Sequence, residues 1–174
     1  MKTRIGILIG LALFLTACVE TAPTSINSAA EDISIETDRF SGETTIRSPL
    51  YLSRQGFTDT FPVKLAYEAS LDDDGELRFV RLYVVATRTE WGFYSSAIGE
   101  DNYEFAFSEV DRQVDSIGAI VTVEEHFLLT VSLAQLASMS ATDYEIRVYG
   151  RRDSGVFVVP SAVTNAFLQR LNSL

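Results

Sequence analysis

The stretch VKLAYEASLDDDGELRFVRLYVVATR, residues 63–88, decides the fold class. From Val63 to Ser70 the chain alternates, with Val63, Leu65, Tyr67 and Ala69 on one face and Lys64, Glu68 and Ser70 on the other. Successive side chains of a strand point to opposite sides, so this period predicts a strand with one dry face. Leu71-Asp72-Asp73-Asp74-Gly75 interrupts the pattern. Asp-Gly between alternating runs signals a hairpin, because glycine accepts the positive φ of a tight turn. The return segment, Glu76 to Arg88, sets Val80, Leu82, Val84 and Ala86 against Phe79, Arg81, Tyr83 and Val85. It is largely apolar on both faces and reads as a central strand.

Working outward, the same alternation predicts strands at Ile33–Phe40, Thr44–Leu52, Glu90–Ile98, Tyr103–Val110, Ala119–Val131, Tyr144–Gly150 and Val156–Val159. Two helices are expected, both late in the chain. Ser132-Leu133-Ala134-Gln135 has the form of a capping box, in which each side chain satisfies an amide of the first turn, and predicts a short helix near 133–139. After Pro160, Ser161 is positioned to cap a terminal helix near 162–172, with Val163, Phe167, Leu168 and Leu171 as its apolar stripe. No internal repeat or long low-complexity tract is present. The expectation is a single α+β domain over 33–174 with a mainly antiparallel sheet.

The acidic turn Asp72-Asp73-Asp74-Gly75-Glu76 resembles a calcium loop only superficially. Aligning Asp72 and Asp74 with the third and fifth ligand positions of an EF-hand puts Ser70 first and Arg81 where a bidentate glutamate belongs. A hairpin turn is the better reading. Gly150-Arg151-Arg152-Asp153-Ser154-Gly155 has the glycine spacing of a phosphate loop, but Val156 and Phe157 replace the Lys and Ser/Thr that reach phosphate and magnesium. It reads as a polar hairpin loop whose Arg151 and Arg152 are available to an anionic partner.

His126 is the only histidine. No Gly-x-Ser-x-Gly elbow accompanies it, and a structural zinc site needs several Cys or His ligands, so neither a metal nor a cofactor is expected. In its strand, Thr122, Glu124 and His126 share one face, where Glu124 and His126 can converge with a carboxylate or with Arg147 of a neighbouring strand. Glu125 falls on the opposite face among Val121, Val123, Phe127, Leu129 and Val131. An acid there needs a partner, such as Arg147, or an edge position. The aromatic run Trp91, Phe93, Tyr94, Tyr103, Phe105 and Phe107 reads as core, with an exposed groove for a peptide, glycan or lipid as the alternative.

At the N-terminus Lys2 and Arg4 precede an apolar run, Ile5 to Phe14, and then Leu15-Thr16-Ala17-Cys18. The run is shorter than the roughly 20 apolar residues that cross a bilayer. This box resembles the lipobox of bacterial lipoproteins. The resemblance implies a signal segment over 1–17, cleavage between Ala17 and Cys18, and acylation of Cys18, the only cysteine. Two or three acyl chains hold a protein firmly on a membrane where one does not. Val19 is not the aspartate associated with inner-membrane retention, so the implied location is the cell envelope, at the outer membrane facing the periplasm in a two-membrane host. Residues 18–32, rich in Thr, Ala, Ser and Asn, are expected to form a flexible tether.

The 174 residues carry 24 acidic and 14 basic side chains, a formal charge of -10. Loss of Lys2 and Arg4 with the signal moves this to -12. Such a surface repels phosphate backbones, and no nucleic-acid partner is expected. With 47% hydrophobic residues the chain can fill one real core. The function these features imply is that of a lipid-anchored envelope protein with a non-enzymatic binding or scaffolding domain, its partners the membrane through Cys18 and another envelope protein. A small-ligand carrier, needing an apolar cavity, and a carboxylate-dependent hydrolase, needing two acids in one pocket, are the alternatives.

Overall fold

A computed structural model describes residues 20–53 and 63–174. Ala17, Cys18 and the expected signal segment lie outside them. The described strands are β1 (Glu20–Thr21), β2 (Ser34–Thr37), β3 (Thr44–Arg47), β4 (Tyr51–Leu52), β5 (Val63–Leu71), β6 (Leu77–Arg88), β7 (Tyr94–Gly99), β8 (Glu104–Ile117), β9 (Ile120–Thr130), β10 (Tyr144–Gly150) and β11 (Ser154–Val159). The helices are α1 (Ile26–Glu31), α2 (Leu133–Met139) and α3 (Ser161–Leu171). The strands form one curled sheet in the order β1-β4-β5-β6-β9-β8-β7-β10-β11, with β3 beside β4 on the edge of β5 and β2 outside β3. Among the described residues every pairing is antiparallel except β1 with β4.

The β5–β6 hairpin is the one expected, and β6 is central, between β5 and β9. Gly75 takes φ +81°, and Asp72 Oδ1 accepts the amides of Asp74 at 3.2 Å and Glu76 at 2.8 Å. The turn's own backbone thus occupies that carboxylate.

The inner faces of β5, β6 and β9 bury Leu65, Tyr67, Leu82, Val84, Phe127 and Leu129 against α3. Tyr67 stacks on Phe167 of α3 at 5.1 Å, and its hydroxyl pairs with Thr164 Oγ1 at 3.0 Å. Curling brings the two ends of the sheet together, where Ser53 Oγ donates to Val158 O of β11 at 2.7 Å and accepts from Val158 N at 3.1 Å. One hydroxyl thereby stands in for a strand partner.

Several boundaries differ from expectation for identifiable reasons. The span 44–52 is two strands, because Pro49 has no amide to donate and Ser48 turns the chain, its Oγ accepting from Tyr67 N at 2.8 Å. Residues 90–93 are a loop rather than the start of a strand, and 111–117 continue β8 into a long hairpin with β9. Gly118 at φ +63° and Ala119, whose φ is not positive, match a type II′ turn. Ser161 is the first helical residue of α3, not its cap; Pro160 occupies that position without a side-chain bond, and Asp143 binds Ser161 instead. In the expected capping box Ser132 Oγ does accept Gln135 N at 3.2 Å, but the Gln135 side chain turns to Asp101 and Tyr144. The tether over 18–32 is corrected too. Residues 26–31 form α1, capped by Ser25, and Ala29 and Ile33 are buried in the core.

Candidate functional site

Glu124 and His126 project from the outer face of β9, where the side chains that meet them are Lys64, Thr87 and Tyr83. Lys64 of β5 reaches Glu124 Oε1 at 3.1 Å, Thr87 Oγ1 donates to the same oxygen at 3.1 Å, and Glu124 Oε2 lies 3.6 Å from His126 Nε2. His126 Nδ1 pairs with the Tyr83 hydroxyl at 2.6 Å. With Tyr83 as donor, the proton of a neutral His126 resides on Nε2, facing Glu124. Burial, and then the charges of Glu124 and Asp111, raise the Tyr83 pKa and keep the phenol a donor. Asp111 is held below the usual carboxylate range by hydrogen bonds from Gln113 and the Arg112 amide. A cleft of about 300 Å³ lies beside this cluster, lined by Tyr83, Ala66, Leu128, Val110, Arg47 and Glu68.

Arg147 takes no part. It sits on β10, opposite Val156 of β11 and Ile98 of β7, and β7 and β8 separate its strand from β9. It lines a different open cleft with Glu100, Glu145 and Tyr149. Glu125 therefore has another explanation. Its carboxylate, 3% exposed, accepts the amides of Gly92 at 2.6 Å, Phe93 at 3.0 Å and Tyr94 at 3.2 Å, and meets Arg112 Nε at 3.4 Å. Four donors converge on one buried acid, which satisfies its charge. The sequence signal for this site is the acid on an apolar face; Phe93 enters only through the aromatic run, and Arg112 carries no signal of its own.

Glu125 marks the place where the sheet splits. β7 pairs with β8 only at Ala97–Phe105 and Ile98–Glu104, then leaves to follow β10. Among the described residues, β8 is paired from Ala106 to Ile117 on the β9 side alone. The two-residue turn makes Ile117–Ile120 a hydrogen-bonded pair, so the amides of Arg112, Val114 and Ser116 face the open side. Asp111 Oδ1 accepts the Arg112 amide at 2.8 Å and Asp115 Oδ1 the Ser116 amide at 2.7 Å. The Val114 amide between them has no such cap. Val110, Val114, Ile120 and Val121 are large apolar side chains exposed on this hairpin, Val114 by 68% and Val121 by 65%.

The aromatic run is mostly core, as expected: Tyr94 and Phe105 are buried, and Phe107 stacks on Phe127 at 4.9 Å. Trp91 and Phe93 are only half-buried. In the open groove lined by Glu36, Asp38, Glu43 and Glu68, three of the four acids have structural partners. Glu68 pairs with Arg47, Glu43 with Arg78 and Ser70, and Asp38 with the Phe40 amide. Among the described residues no three His, Cys, Asp or Glu side chains converge as a metal site, and no helix is long and apolar enough to cross a membrane. Comparison with protein-family models, curated proteins and solved structures gives no match to this chain.

Proposed function

We propose that this chain is a lipid-anchored binding protein of the bacterial envelope, held through Cys18, whose working surface is the open edge of β8. The carrying observation is that, among the described residues, β8 has no partner on one side from Ala106 to Ile117, while the hairpin it forms exposes four large apolar side chains. An unpaired strand edge supplies main-chain donors and acceptors to an added strand, and side-chain pockets on alternate positions supply selectivity. The partner this fits is an extended segment of another envelope protein. Helices gathered on one side of a mainly antiparallel sheet support an α+β reading of the domain. Packing of Tyr94, Phe105 and Phe107 in the core favours binding by surface over a carrier cavity lined by the aromatic run. The ion-paired acids of the Glu43–Glu68 groove give a hydrolase little to work with.

One experiment tests anchor and edge together. A photo-crosslinking residue at Val114, in cells, should give a discrete adduct in the membrane fraction, and the same residue at Ser173 should not. Adding Cys18→Ser should release the protein from membranes and weaken the adduct. Equal crosslinking from positions 114 and 173 refutes the edge; membrane retention of the Cys18→Ser protein refutes the anchor.

A further inference from the structure

Where the open edge of β8 ends, three arginines surround one ring. The guanidinium carbons of Arg112, Arg151 and Arg152 lie 5.1, 5.1 and 5.5 Å from the centroid of Phe93. The backbone holds this arrangement firmly. Phe93 adopts φ +55°, a region that a bulky side chain rarely enters, and Glu125 fixes it there through the amides on both sides and its own. The β10–β11 turn is tied to the same loop by Arg151 N to Phe93 O at 3.3 Å and Arg152 N to Gly92 O at 3.1 Å. Gly150 allows that approach, since a Cβ there would collide with the Gly92 carbonyl.

The three cations are not equally compensated. Arg112 pairs with Glu109 at 2.7 Å and with Glu125. Arg151 and Arg152 are exposed and have no carboxylate within 4.0 Å among the described residues. Ring quadrupoles attract cations, but three guanidinium groups on one ring also repel one another, and an anion relieves that repulsion. On a chain of net charge -10, two free arginines beside an exposed apolar strand edge are a local reversal of sign. Register adds direction. Arg112, Val114 and Ser116 share a face with Glu125, Val123 and Val121, so the guanidinium cluster, Val114 and Val121 lie on the inner side of the edge. Asp111 and Asp115 point to the outer side, with His126 and Thr122.

We infer that the segment that docks on β8 is acidic on the face it turns toward Val114 and Phe93, with a carboxylate seated on Arg151 and Arg152. This rests on the edge reading above and adds the partner's chemistry. A strand running along β8 from Ile117 toward Arg112 ends against the Phe93 loop, where carboxylate and guanidinium form charge-assisted hydrogen bonds. On its other face the same strand meets Asp111 and Asp115, which select against acids there. The partner therefore alternates acidic or apolar residues inward with neutral or basic ones outward.

The test uses the purified full-length chain in detergent and three fluorescent eight-residue peptides, alternating Val with Glu, Gln or Lys, read by anisotropy. At low salt the Glu peptide should bind about tenfold more tightly than the Gln peptide, and the difference should shrink in high salt. Arg151→Glu with Arg152→Glu, both in an exposed turn, should remove the preference for Glu and leave the circular dichroism spectrum unchanged. Val114→Pro should abolish binding of all three. Equal affinity for Glu and Gln peptides overturns the acidic-partner inference but leaves the edge intact, whereas no binding of any peptide overturns both. If phosphatidylglycerol vesicles bind through the two arginines more tightly than the Glu peptide does, the patch faces a membrane and the inference is wrong.

Discussion

Replacing Glu125 separates two accounts of why an acid is buried in this sheet. If its task is to hold the 90–94 loop, the three amide bonds matter most; if it exists to neutralise Arg112, the ion pair does. Glu125→Ala strands the amides of Gly92, Phe93 and Tyr94. A buried donor left without a partner costs about 1–3 kcal/mol, and the loop can rotate toward water, so the lower end applies and the total is about 3 kcal/mol. Glu125→Gln keeps Oε1 for Gly92 and Phe93 but turns a donor toward Tyr94 N and Arg112 Nε, at about 2 kcal/mol. Arg112→Met removes one contact at 3.4 Å from a carboxylate that retains three amides, and should cost about 1 kcal/mol or less. Urea unfolding measures the order Ala, then Gln, then Met. Amide exchange at Gly92, Phe93 and Tyr94 should accelerate in the Ala variant and stay near wild type in Arg112→Met. An Arg112→Met loss equal to that of Glu125→Ala, with unchanged exchange in both, refutes the loop-holding account.

Stability should fall as pH rises above about 10, the ordinary tyrosine value. Burial raises the Tyr67 pKa, so the unfolded chain ionises first and binds fewer protons than the native one. Stability contributed by the protonated phenol is complete below that pH and declines above it by up to about 1.4 kcal/mol per pH unit; Tyr67→Phe should flatten the alkaline limb of a melting-temperature profile. Ser53→Ala should cost about 1–2 kcal/mol in thermal unfolding, because Val158 loses both a donor and an acceptor. Gly150→Ala drives a Cβ into the Gly92 carbonyl, which is backbone and cannot swing aside, and should cost about 1–3 kcal/mol and weaken Glu-peptide binding.

The hairpin at 63–88 was legible because one face of β5 is dry and its turn is spelled by Asp-Gly. The outer half of β8 was not. Its residues 113–116 are exposed on both faces, so the apolar period that marks a half-buried strand is absent there, although Val110 and Val114 remain. α1 escaped for a related reason: it is only six residues long and buries a single alanine, too little to form a stripe. Glu124 with His126 was readable from parity alone, since both stand on one face of one strand. Arg147 was not, since strand order decides whether β10 lies beside β9 and periodicity does not encode order. Glu125 announced itself as an anomaly, yet its partners are backbone amides, which any sequence supplies at every position except proline.

The same geometry opposes self-pairing at the open strand edge. A bare β8 edge would invite pairing with a second copy. Two features oppose that. Asp111 and Asp115 cover alternate edge amides with their own carboxylates, and a shift of register between Glu109 and Asp111 breaks the regular ladder. In a two-fold antiparallel β8–β8 pairing centred on Val114, the outer faces would bring Asp111 and Asp115 of both chains onto one surface, a like-charge cost added to a net charge of -10 per chain. A partner with neutral or basic residues outward and a carboxylate toward Arg151 and Arg152 escapes both penalties. The charges that guard the edge are thus the ones that select what is allowed to occupy it.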